Sequence, residues 1–174
     1  MDLMSNLSRQ RIIYIGERIT DTVATSVCAK LLALEAIDPE AEIQIYINSG
    51  GGIPYAVFAI FDTMNIVKCP IRTVAVGAVM SQSVLILANG TKGRRHGMRN
   101  ARIMMHQPQG GMEGPIYDVK RQANELNRIW RTIQAMLVDL TGLSLYEVEI
   151  QTDRDTYMSS EQAVAQGVLD GVVD

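Results

Sequence analysis

The chain predicts an α/β fold built on a largely parallel sheet, and three observations carry that expectation. Strand-like and helix-like apolar patterns alternate through residues 11–90 at the spacing of right-handed βαβ units. The two stretches Gly50–Gly52 and Gly77–Gln82 each follow a predicted strand, where open α/β sheets place their sites. Apolar residues in steps of three and four from Ile116 to Leu140 predict one long amphipathic helix.

Arg11 to Gly16 reads as a short apolar strand ended by glycine, after which Thr20 or Asp21 caps a helix with Val23, Val27, Leu31 and Leu34 on one face. Asp38-Pro39 stops it. Ile43, Ile45 and Ile47 alternate with Gln44 and Tyr46 as a strand requires, with Asn48-Ser49-Gly50-Gly51-Gly52 at its carboxyl end. Pro54 suits the first turn of a helix through Phe58, Phe61 and Met64 toward Pro70. Ile71 to Val76 is a third strand, and Ser81 opens a third helix that ends by Asn89-Gly90. Lys92-Gly93-Arg94-Arg95 reads as a turn, Ala101 to Met105 as a strand leading to His106, and Gln107 to Gly111 as a loop. The helix through Ile116, Val119, Ala123, Leu126, Trp130, Ile133, Leu137 and Leu140 is longer than a small domain needs, so its seam asks for a partner. A helix from Leu145 to about Gln151, a polar segment Thr152–Asp155 and a helix from Ser160 to Gly167 complete the chain.

The 174 residues fit one domain with a real core. With 47% hydrophobic residues, 20% charged and a net charge of −3, the chain lacks the basic excess of a nucleic-acid binder, and no nucleic-acid partner is expected. Apolar runs such as Val84–Ala88 are too short to span a bilayer, and the amino terminus lacks the order of a secretory signal, so no membrane partner is expected. Cys28 and Cys69 are isolated, which supports neither a disulfide framework nor a metal site and favours a reducing compartment. With 5% aromatic residues and ten Met, the core must be aliphatic with Met filling gaps.

Ser81, His106 and Asp155 are of the types a serine hydrolase needs. A free hydroxyl is a poor nucleophile, so an imidazole must take its proton while a carboxylate orients the imidazole. Each also has a plainer reading: Ser81 as a helix cap, His106 as a polar strand end, Asp155 as a cap or the partner of Arg154. Gly50–Gly52 can serve a turn, or can aim a backbone N–H into a cleft as an oxyanion hole requires. No Gly-Lys-Ser/Thr follows it, so phosphate binding is not expected.

Taken in order, Asn48-Ser49-Gly50-Gly51-Gly52, Gly77-Ala78-Val79-Met80-Ser81, Ala101 to Pro108 with Gly110-Gly111, and Thr152 to Ser159 resemble the successive motifs of the ClpP family of Clp protease proteolytic subunits. The resemblance runs from about Asp2 to Val173 and implies a ClpP/crotonase-like fold of repeated ββα and βαβ units. It implies one peptidase domain over 1–174, with a head (about 1–108 and 141–174) and a protruding handle (about 109–140). By position, Ser81 resembles the nucleophile, His106 the general base and acid, and Asp155 the orienting carboxylate, with the N–H groups of Gly52 and Gln82 as oxyanion hole. Gly110, Gly111, Met112 and Glu113 match the strand beside the active site that pairs with substrate. Asp153 and Arg154 match a contact between rings, with Arg154 and Asp155 expected to alternate as strand residues do. The family implies an acyl-enzyme mechanism in two stacked heptameric rings of ClpP- or ClpR-type subunits, unfolded protein substrates delivered by an AAA+ unfoldase, and no cofactor.

Three positions depart from the family pattern. Ser83 stands where glycine is usual and is expected to tighten or distort the turn, Arg99 replaces a proline, and Gly50 replaces the proline of the glycine loop. The family's amino-terminal pore loop is expected to be missing or not included. Ser-Gln after the apolar turn and the Arg102–Gly111 segment look closest to nuclear-encoded plastid members, which implies a chloroplast stroma after removal of a transit peptide, with a bacterial cytoplasm as the alternative. Two other readings stay open: a weakly active or structural subunit of a mixed ring, and a crotonase-like acyl-CoA enzyme, which leaves the three residues without a joint role.

Overall fold

The computed structural model describes residues 3–173. Helix α1 (Leu3–Arg9) leads into strand β1 (Ile12–Ile15). Arg11 between them has a φ of 60° and sends its guanidinium to the carbonyls of Leu34 and Glu42, which ties this corner down. Helix α2 (Asp21–Ile37) is capped by Thr20, whose hydroxyl accepts from the Val23 N–H at 3.4 Å, so Asp21 takes the first helical position. Asp38 ends the helix in extended backbone. Strand β2 (Ile43–Ser49) buries Ile43, Ile45, Ile47 and Ser49, and α3 (Pro54–Ile66) begins at Pro54 and packs on α2.

Strand β3 (Ile71–Met80) is longer than the sequence pattern indicated. Glycine was expected to end it at Gly77, but Gly77 adopts a φ of 63° and lets the strand bulge and continue. Ile47 pairs with Ala75 and Ser49 with Val79, so β3 carries two extra residues opposite β2 there. Asn48 Oδ1 accepts the Ala78 N–H at 3.1 Å and satisfies the disrupted ladder. A Cβ on residue 77 would stand 2.8 Å from that oxygen, so the bulge needs glycine.

Helix α4 (Ser83–Ala88) starts two residues later than expected and is buried throughout. Strand β4 (Arg95–Met98) occupies what read as the end of a turn. Its first residue is an arginine, which hid it from a search for apolar runs. Arg95 is buried because Asp170 receives it twice, from Nη2 at 2.6 Å and Nε at 2.9 Å, while Nη1 donates to Leu140 and Gly167 carbonyls. The arginine holds the Asp170 carboxyl down to about 2.

Strand β5 (Arg102–Met105) is followed by an extended loop and helix α5 (Ile116–Thr141), whose C-cap Gly142 has the left-handed conformation. Only its second half is packed: Ile129, Ile133, Gln134 and Leu137 are buried, whereas Ile116 and Tyr117 are 79% and 75% exposed. Helix α6 (Leu145–Thr152) opens with a reciprocal capping box between Ser144 and Glu147. Strand β6 (Thr156–Ser159), helix α7 (Ser160–Ala165) and strand β7 (Gly171–Val173) finish the chain. Both strands are too short to show a period, and neither was expected.

The sheet runs β1-β2-β3-β4-β7 in parallel, and β5 branches from the far end of β3. β6 is antiparallel to β5. This is the ClpP-type mixed α/β fold that the motifs implied. The branch follows from the bulge: before Gly77, residues Thr73–Ala75 pair with β4, and after it, Ala78–Met80 pair with β5. The largest fully buried side chains are all Ile and Leu, with Met64, Met104, Met105 and Met158 filling around them, as the composition indicated.

Candidate active site

Strand register brings the three candidate residues together. The β5–β6 ladder ends at the pair Met105 and Thr156, and one step beyond it on each strand stand His106 and Asp155. Residues so placed are cross-strand neighbours. His106 Nδ1 lies 3.1 Å from Asp155 Oδ1. On the other side of β5, Met80 pairs with Met104, and the next N–H, that of Ser81, donates to the Met104 carbonyl at 2.8 Å. Ser81 Oγ then lies 2.8 Å from His106 Nε2. The hydrogen-bonded chain Ser81–His106–Asp155 therefore joins the ends of three adjacent strands.

Ser81 has a φ of 57°, a left-handed conformation that costs a side chain about 1–2 kcal/mol. The N–H bond to Met104 and the Val84 N–H bond to the Ser81 carbonyl, at 3.1 Å, hold it there. Strain of this kind at a sharp strand-to-helix turn is what lifts a hydroxyl clear of its neighbours. The His106 side chain is 16% exposed and Asp155 49%, so the imidazole is sheltered while the carboxylate is half in solvent. Gln107 locks the two loops together: its N–H donates to Thr152 at 2.7 Å and its side chain to Asp153 at 2.8 Å.

The glycine loop lies directly against this turn. Gly51 has a φ of 95°, and a Cβ there would come within 2.8 Å of Ser81 Cβ and 3.3 Å of the Gln82 nitrogen. A Cβ on Gly52 would run into the Ile19 backbone at 2.0 Å, because Ile19 bridges the loop through Ile19 N–H to Gly51 and Ile53 N–H to Ile19, both 2.9 Å. Among the described residues, neither the Gly52 nor the Gln82 N–H has an acceptor. Beside Ser81 and His106, a small pocket is walled by Val84, Leu85, Met105, Ile133 and Leu137.

Two expectations are corrected. Gly110, Gly111, Met112 and Glu113 do not form a strand; they run as unpaired backbone, exposed except for a half-buried Met112. A segment rich in glycine with no neighbouring strand in its own chain has nothing to hold it in a ladder. Asp153 and Arg154 are not strand residues either: Asp153 ends α6 and Arg154 lies in the bend before β6. The alternation argued for Arg154 and Asp155 therefore does not apply. Arg154 is 89% exposed and its Nε sits 3.7 Å from Asp153 Oδ2.

The sequence reading named Ser83 as a source of strain and Gln82 for its backbone N–H, and it missed what both side chains bond to. Ser83 is fully buried, and its hydroxyl accepts the Met80 N–H at 3.0 Å while its proton reaches the carbonyls of Met80 and Ser49 at 2.6 and 2.8 Å. Gln82 Oε1 lies 2.6 Å from Ser81 Oγ. Their one sequence signal was polarity, two polar residues between an apolar strand and an apolar helix. Among the described residues, no three His, Cys, Asp or Glu side chains gather as a metal ion would need.

The sequence profile of Clp proteases matches residues 1–174. The chain belongs to the Clp protease family. It is 46% identical over 173 residues to the ATP-dependent Clp protease proteolytic subunit 1 of Prochlorococcus marinus subsp. pastoris, covering 99% of this chain and 88% of that protein. For a Clp protease chain the family implies a serine peptidase, and its members normally work as oligomeric rings with Clp ATPases. No helix among the described residues of this Clp protease chain is long and apolar enough to cross a membrane.

Proposed function

We propose that this chain hydrolyses peptide bonds through an acyl-enzyme on Ser81, and the observation that carries the proposal is that Ser81, His106 and Asp155 stand in sequence within hydrogen-bond distance of one another. Asp155 holds the His106 Nδ1–H, which leaves Nε2 free to take the Ser81 proton as Oγ attacks the scissile carbonyl. The developing oxyanion is received by the N–H groups of Gly52 and Gln82, each such donor being worth about 3–4 kcal/mol in acyl transfer. His106 returns the proton to the leaving amine, and a water activated by the same nitrogen releases the acid. Apolar side chains are the natural fit for the pocket beside Ser81.

Gly110 to Glu113 are proposed to offer their unpaired backbone to an extended substrate, which would complete the strand that one chain alone lacks. The working form is a double heptameric ring with other ClpP- or ClpR-type subunits, fed with unfolded proteins by an AAA+ unfoldase. The handle at about 109–140 interleaves between rings, and Asp153 and Arg154, both exposed, stand at that contact. The stroma of a chloroplast and a bacterial cytoplasm are the compartments proposed; likeness to a cyanobacterial protein supports the second. A structural subunit of low activity has no need of a complete hydrogen-bonded triad, and a crotonase-like enzyme would leave it idle.

The test is peptide turnover by the purified complex. Ser81→Ala should lower it by about 10⁴-fold or more, and Asp155→Asn by about 10²–10⁴-fold, both without loss of assembly. Undiminished turnover in Ser81→Ala would refute the proposal. Sedimentation velocity of Arg154→Ala should show separated rings, and intact double rings would remove Arg154 from that contact.

A further inference from the structure

Ser81 has one hydroxyl proton and two acceptors within reach. His106 Nε2 stands at 2.8 Å, and Gln82, the next residue, presents Oε1 at 2.6 Å. The shorter contact has the length of an O–H···O bond, about 2.7 Å, and not that of N–H···O, about 2.9 Å, so the amide oxygen faces the hydroxyl. A hydroxyl that donates to Gln82 cannot donate to His106 at the same moment. In that arrangement Nε2 faces an oxygen that has already given its proton away, and Oγ is not poised for attack.

Gln82 also lines the pocket beside Ser81, which leaves only about 10 Å³ of free volume. That is the room of a single water at most, so a substrate side chain can enter only by moving a wall. Val84, Leu85, Met105, Ile133 and Leu137 are core residues, each buried. Outside Ser81 and His106 the part-exposed lining residues are Gln82 and Pro108, and of these only Gln82 has a side chain that swings on rotatable bonds, which makes it the wall that yields.

We propose that the Gln82 carboxamide is a substrate-released brake: it holds the Ser81 proton while the pocket is empty and surrenders it to His106 when a side chain fills the pocket. This rests on the reading of Ser81 as nucleophile and His106 as base. The brake keeps an unoccupied hydroxyl from reacting with small electrophiles and couples attack to the presence of a pocket-filling residue.

The test compares two sulfonyl fluorides on the assembled protein. Methanesulfonyl fluoride leaves the pocket empty, and phenylmethanesulfonyl fluoride fills it with a benzyl group. In both, Oγ bonds to sulfur, fluoride departs and the proton passes to His106. Gln82→Met keeps the length of the wall but offers only a weak sulfur acceptor. It should speed the methyl reagent by about fivefold, the worth of one ordinary hydrogen bond, and the benzyl reagent by less than about twofold. Gln82→Asn, too short to reach Oγ, should shift the ratio the same way and serves if the methionine variant does not fold. Equal effects on both reagents, or no acceleration of the methyl reagent, overturn the brake alone. Failure of both reagents to modify Ser81 in the native protein overturns the nucleophile assignment and the brake with it.

Discussion

Ser83 Oγ and the Ser49 carbonyl stand 2.8 Å apart, and this contact fastens the turn that carries Ser81 to the end of β2, where the glycine loop begins. The serine was expected to strain that turn. It does the reverse, because the hydroxyl also satisfies the Met80 N–H and no water can reach the site to replace it. Ser83→Gly should therefore slow the enzyme and cost about 1–3 kcal/mol of stability, since buried partners lose their bonds. Urea unfolding beside peptide turnover reads both, and a glycine variant as fast and as stable as the native protein would contradict this.

Gly51→Ala should reduce turnover by about 10²-fold or more, the scale of a small displacement of reacting groups. Its φ of 95° disfavours any side chain, and the new methyl would press on Ser81 Cβ from 2.8 Å. The same substitution at Gly50, where nothing lies within 4 Å, should leave turnover nearly unchanged. Similar rates for the two variants would show that the loop does not bear on the nucleophile.

Asp170 ties stability to pH. Its folded value of about 2 lies below the ordinary 3.8, so its contribution is complete above about pH 4 and is lost as pH falls toward 2. Asp170→Asn leaves Arg95 buried without its counter-charge and should cost about 3–5 kcal/mol at neutral pH. The gap between native and variant should narrow as pH drops below about 4. Unfolding free energies measured from pH 7 to pH 3 check this, and a gap that stays constant would remove Asp170 as its source.

Periodicity found the elements that bury one clear face. β1, β2, α2, α3 and α5 lie close to where alternation, caps and steps of three and four put them. Elements held by pairing or by an ion pair left no such trace: β4 opens with a buried arginine, and β6 and β7 are too short to alternate. At the site, residue types and motif order pointed to Ser81, His106 and Asp155, but their meeting depends on the β5–β6 register and on the bulge at Gly77, which no local pattern encodes. The expected strand at Gly110 to Glu113 failed because a strand needs a neighbour, and this chain has none there. The partners of the Gln82 and Ser83 side chains escaped because a polar residue beside a nucleophile reveals its partner only once the backbone is folded.

The central claim is that Ser81 is the nucleophile activated by His106. Its most direct measurement is intact mass and peptide mapping after a fluorophosphonate probe reacts with the native complex and with Ser81→Ala and His106→Ala complexes. A single adduct on the Ser81 peptide in the native protein, none in Ser81→Ala and a strongly slowed reaction in His106→Ala is the predicted result. An adduct of equal yield in native and Ser81→Ala proteins, or one mapped to another serine, would contradict it.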